Sequence, residues 1–80
     1  MIDSKASEDA ADKLQAALHY DRRDAGPDAD YRQACAEWFN ALADADKSIA
    51  KNAAAVYRNG FPMRALQIAA ALPPAPKFPL

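Results

Sequence analysis

An all-α fold is predicted by three observations on this chain: alanine supplies 21 of its 80 residues, its only glycines are Gly26 and Gly60, and its apolar residues recur every three to four positions. Three helices follow, over about residues 7–24, 28–59 and 62–72. A proline-rich extended tail at 73–80 follows the single helical domain of 1–72.

The first helix is expected to start at Ser7, a capping residue followed by Glu8 and Asp9, whose charges suit the positive end of a helix dipole. Its apolar stripe is Ala10/Ala11, Leu14 and Ala17/Leu18. It is expected to stop near Asp24, because Arg22 and Arg23 suit a last turn and Gly26-Pro27 cannot continue one.

Asp28 is the next cap, and no glycine or proline interrupts the chain from there to Asn59. One long helix of about 46 Å is therefore predicted at 1.5 Å per residue. Tyr31, Cys35, Trp38, Leu42, Ala45, Ile49, Asn52 and Val56 are spaced 4-3-4-3-4-3-4, a heptad seam with Cys35, Leu42, Ile49 and Val56 at a. Beside it Ala34, Ala41, Ser48 and Ala55 form a flank of small residues that lets another backbone approach. The weak stretch is Asp44-Ala45-Asp46-Lys47-Ser48, where Asp46 or Ser48 is an alternative cap that splits the helix.

Asn59-Gly60 ends this helix, with Gly60 in the left-handed region and Phe61 folding back on Val56, and Pro62 permits a restart. The third helix places Phe61, Ala65, Ile68 and Leu72 on one face and Met63, Leu66 and Ala70 on another, with Arg64 and Gln67 between them. Two apolar faces call for two partners. The tail, Pro73-Pro74-Ala75-Pro76-Lys77-Phe78-Pro79-Leu80, reads as polyproline-like.

Against 21 alanines stand ten larger aliphatics, so little of the hydrophobic half buries the area that stabilises a core at roughly 25 cal/mol per Å². A chain with so thin a core is expected to self-associate, and a homodimer is predicted. Cys35 is the only cysteine, so no internal disulfide forms and a cytoplasmic location is expected. Met1-Ile2-Asp3-Ser4-Lys5 carries no apolar run behind its charge, and no stretch is apolar for long enough to predict a membrane span.

The overall charge of −1 hides a sharp asymmetry. Residues 1–46 hold all eleven acids against five bases, a net of −6, while residues 47–80 hold five bases and no acid. Along the long helix the outward face changes sign halfway, ending in a basic stripe of Lys47, Lys51 and Arg58. An antiparallel twin neutralises that pattern, so the homodimer is expected to be antiparallel.

No catalytic or metal site is legible, and no cofactor is expected. His19, the only histidine, has no carboxylate or second ligand at helical spacing and reads as a surface residue. Cys35 occupies a seam position and behaves as a small hydrophobe. Asp9/Asp12 and Asp21/Asp24 are one turn apart, but no oxygen-rich loop accompanies them. Tyr31, Trp38 and Phe39 lie on or beside the seam and read as core.

Tyr57 and Phe61 differ, because they flank Arg58-Asn59-Gly60, and aromatics with arginine are enriched at interface hot spots. The predicted partner-binding set is Tyr57, Arg58, Phe61, Met63, Arg64, Leu66 and Gln67. The expected function is non-enzymatic: a stoichiometric inhibitor or adaptor of a larger protein, a role filled among small stand-alone proteins by phage or mobile-element anti-defence and host-takeover factors. The alternative is a small helical nucleic-acid-binding protein that uses the basic C-terminal half. Against that alternative stand the slightly negative total charge and the lack of polar readers beyond Arg64 and Gln67.

Overall fold

The first helix of the chain touches all the others, and the long helix expected at its centre is broken in two. The computed structural model describes residues 4–21 and 28–77. Among them are four helices and no strand: α1 (Ser4–His19), α2 (Ala29–Asn40), α3 (Asp44–Arg58) and α4 (Pro62–Ala69).

α1 takes in Ser7 rather than starting there, because Lys5-Ala6-Ser7 contains nothing that stops a helix and alanine favours one. It ends at His19, and Tyr20 closes the last turn through its N–H to the Ala16 carbonyl at 3.0 Å. Residue 21 is already in a turn, so the helix falls short of the expected end near 24. The expected Arg22 and Arg23 turn, Asp24 and the Gly26-Pro27 stop lie outside the described residues.

The predicted helix over 28–59 is corrected to α2 and α3, joined through residues 41–43. Asp28 occupies the capping position of α2, but its side chain makes no capping hydrogen bond. After Asn40 the Ala41 N–H reaches the Glu37 carbonyl at 3.1 Å and the Leu42 N–H reaches that of Phe39 at 3.1 Å. Ala43 then turns extended (φ −63°, ψ 156°), and the next helix starts with Asp44 and Asp46 in its first turn. Neither alternative cap is used, since Asp46 and Ser48 both lie inside α3.

An unbroken helix over 28–59 does not match this packing. A straight helix of about 46 Å exceeds the 38 Å longest extent of the molecule. It would also overrun α1, which is about 24 Å long at 1.5 Å per residue. Breaking at 41–43 lets both halves lie against α1 and buries Leu42 in the core they share.

The single heptad seam is corrected with it. Tyr31 and Cys35 of α2 join Ala16 of α1 in one cluster, whereas Leu42 and the half-buried Ile49 and Val56 belong to another built on Leu14, Ala17 and Phe39. Trp38, also half-buried, packs against both clusters. Ala45 and Asn52, expected on the seam, are exposed; α3 instead buries Ala50, Ala53 and Ala54. The small flank expected to admit a neighbouring backbone fares the same way: Ala41, Ser48 and Ala55 are exposed and Ala34 is half-buried. The small residues buried in the core by α3 and α4 are instead Ala50 and Ala53 and Ala65 and Ala69, all fully buried in one cluster. A methyl group is small enough to let the axes of packed helices come close.

The α3–α4 corner is built as expected. Gly60 takes φ +96°, its N–H bonds the Tyr57 carbonyl at 3.0 Å, and the Phe61 N–H bonds the Val56 carbonyl at 3.2 Å. This pair of bonds is the Schellman arrangement. Pro62 opens α4, where its missing N–H costs nothing. α4 ends at Ala69, short of the expected 72, and Leu72 is buried in the turn that follows. Lys13 Nζ donates to the Ala70 carbonyl at 3.2 Å, a cation at the negative end of α4.

Residues 73–77 form no regular structure, yet Ala75 packs against the cluster of Ala16, Tyr31 and Cys35. The tail residues 78–80 lie outside the described residues. No helix among the described residues is long and apolar enough to cross a membrane.

Candidate interaction surface

The α3–α4 elbow gathers every exposed large hydrophobic side chain among the described residues. Tyr57 is 41 % exposed, Phe61 60 % and Met63 70 %. The geometry of the Gly60 turn produces this: it reverses the chain within a few residues, so the end of α3 and the start of α4 both face outward at one corner. Arg58 in the last turn of α3 and Arg64 in the first turns of α4 are exposed among these side chains.

Of the other predicted contact residues, Gln67 is exposed on α4, while Leu66 is half-buried and packs against the core. The elbow therefore brings together Tyr57, Arg58, Phe61, Met63 and Arg64, and directs Leu66 inward.

Two open recesses flank the corner. One, of about 380 Å³, lies between the ends of α1 and α3 and is lined by Gln15, Leu18, His19, Tyr57 and Arg58. The other, of about 410 Å³, is lined by Val56, Asn59, Phe61 and Arg64. Each combines an apolar or aromatic wall with one guanidinium. Arg58 also favours ionisation of the nearby Tyr20 hydroxyl, but burial and Asp21 outweigh it and raise that pKa.

The predicted basic stripe falls along one side of α3, with a less open end at Lys47. Lys51 and Arg58 are exposed, Lys47 is half-buried, and Asp44 and Asp46 share the same helix. Acids in the first turn and arginine in the last complement the dipole of α3, which accounts locally for the sign change along residues 44–58.

His19 is half-buried rather than free on the surface. Its Nδ1 lies 2.7 Å from the Gln15 carbonyl, and its ring meets Tyr31 edge to face at 5.9 Å. A recess of about 300 Å³ beside it is lined by Ala11, Asp12, Gln15, His19, Asp28 and Tyr31. Among the described residues no group of three or more His, Cys, Asp and Glu side chains is placed to hold a metal ion.

Cys35 is fully buried, and burial pushes its thiol pKa up, partly offset by the Tyr31 hydroxyl. That is the opposite of what a nucleophile requires. Trp38 Nε1 is buried without a hydrogen-bond partner among the described residues.

Sequence reasoning missed Tyr20, whose ring stacks on Phe39 at 3.7 Å with 9° between the planes and ties the end of α1 to α2. The available signal was its position two residues after Leu18, just beyond the apolar stripe. No known protein family, curated protein or solved structure matches this chain.

Proposed function

We propose that this protein acts by stoichiometric, non-catalytic binding to a larger protein, as an inhibitor or adaptor, and that the α3–α4 elbow is its contact surface. The observation that carries this reading is the confinement of exposed Tyr57, Phe61 and Met63 to one corner, interleaved with Arg58 and Arg64. Scattered single hydrophobics on a surface need no explanation, but a contiguous set of the residue types that dominate interface energetics does. Elsewhere the large apolar side chains of the described residues are buried or half-buried, even though the core is thin.

The test is capture of partners from a lysate of the producing cell with the tagged protein, repeated with Arg58→Glu and with Phe61→Ala. Loss of the same captured protein in both variants, with the helical circular dichroism unchanged, is the expected result. A hot-spot side chain of this kind is worth about 2 kcal/mol or more on truncation, so capture should fall at least roughly thirtyfold in affinity. Undiminished capture by both variants moves the contact surface off the elbow.

A further inference from the structure

We infer that the elbow receives an acidic helix of another protein, one that presents apolar side chains next to carboxylates. This rests on the reading of the elbow as a protein-binding surface and adds the chemistry of what binds there.

The charge comes first. From Lys47 to the end of the chain there is no acid, so nothing within α3 beyond its first turn or within α4 neutralises Arg58 and Arg64. Neither arginine makes an ion pair among the described residues. The positive end of the α4 dipole lies at the same corner, beside Phe61 and Pro62. A partner surface that supplies carboxylates next to its apolar anchors satisfies both guanidinium groups as it fills the recesses they border.

The same charges rule against a second copy of this chain on this face. A two-fold pairing places the same patch on both sides, so it brings four guanidinium groups together and supplies no carboxylate between them.

The backbone selects the form of the partner. At the elbow the N–H groups of Asn59, Gly60, Phe61 and Ala65 are bonded to the carbonyls of Ala55, Tyr57, Val56 and Phe61. The described residues contain no strand that offers an edge to an extended peptide. The main-chain donors left at the elbow are those of the first turn of α4, so an incoming segment has to satisfy most of its own backbone hydrogen bonds where it loses water, and a helix does so internally.

Duplex DNA fits less well. The exposed surface here is aromatic and thioether rather than a row of cations, and Asp44 and Asp46 stand on the same helix as Lys51 and Arg58.

The experiment is titration of the isotope-labelled full chain, followed by amide chemical shifts, with four probes. These are a synthetic helical peptide with leucine and phenylalanine on one face and glutamate on the flanks, the same peptide with lysine for glutamate, a short duplex DNA, and vesicles of anionic phospholipid.

The expected result is saturable shifts at residues 57–67 with the glutamate peptide. That affinity should fall about tenfold or more in Arg64→Glu and in Arg58→Glu, and also at high salt. Arg64→Glu serves as the second variant, because Arg58 also influences Tyr20.

Equal binding of the lysine peptide at the elbow overturns the acidic partner while leaving a protein-binding surface in place. Shifts at the elbow from DNA or vesicles, with none from the glutamate peptide, overturn both readings. An elbow that responds to none of the four probes overturns the acidic-helix inference alone.

Discussion

Tyr31 and Cys35 show how a single contact sets a property of the whole fold. Tyr31 is 5 % exposed and Cys35 fully buried, against Ala16. Burial is the main cause of raised pKa values in both, and each adds to or offsets the shift of the other. Both groups are neutral when protonated, so the folded state holds these protons more tightly than the unfolded chain does. Their contribution to stability is complete below the ordinary cysteine value of 9.0 and is lost as the pH climbs past it and past the tyrosine value of 10.0. Denaturant titrations of the wild type at about pH 7 and about pH 10.5 should therefore show an alkaline loss that shrinks in Tyr31→Phe/Cys35→Ala. An equal loss in that double variant would place the titrating groups elsewhere. Cys35 could be assigned to the core from its spacing in the sequence, but its contact with α1 could not, because Ala16 lies outside the apolar stripe of that helix.

At the scale of elements, the division between α2 and α3 carries the main departure from expectation. Periodicity located the apolar residues of both helices, yet it runs through residues 41–43 without a mark, since Ala41, Leu42 and Ala43 are compatible with a continuous helix. Ala43 now holds the capping position of α3 with no side-chain oxygen to offer, and it is exposed. Ala43→Ser should therefore stabilise the protein by about 1 kcal/mol, by accepting a hydrogen bond from the first turn. In an unbroken helix the same change would cost a few tenths of a kcal/mol, so the sign of the change in a urea melt distinguishes the two architectures. The Gly60 corner was legible in full, because only glycine takes φ +96° without strain and the flanking Asn59 and Pro62 mark the end and the restart.

The whole molecule is organised around α1, which packs against α2, α3 and α4, while α3 and α4 share the most extensive pairing and bury Ala50, Ala53, Ala65 and Ala69 in the same core. The segment after Leu72 completes it. Ala75 covers the cluster of Ala16, Tyr31 and Cys35, and Pro74, Ala75 and Lys77 lie beside Asp9, Asp12 and Lys13 of α1. Ending the chain at Leu72 should uncover that cluster. Labelling of Cys35 by an aromatic disulfide reagent under native conditions is then expected to become severalfold faster than in the intact chain, where opening of the fold limits access. An unchanged rate would mean that the tail adds no protection.

By itself the sequence determined the helical class, the corner at Gly60, the aromatics and arginines around it and most of the stripe on α1, where it missed that Ala11 is exposed and Ala16 buried, because these follow from residue-by-residue preferences and short-range periodicity. Only the tertiary structure decided that residues 28–59 break in two, that α1 rather than a long heptad helix stands at the centre, and that Leu66 turns inward while Tyr57, Phe61 and Met63 stay out. Those outcomes depend on which surfaces can be buried together within a molecule 38 Å long. A periodic pattern records that a residue seeks an apolar neighbour, and the neighbour is chosen by how the whole chain closes on itself.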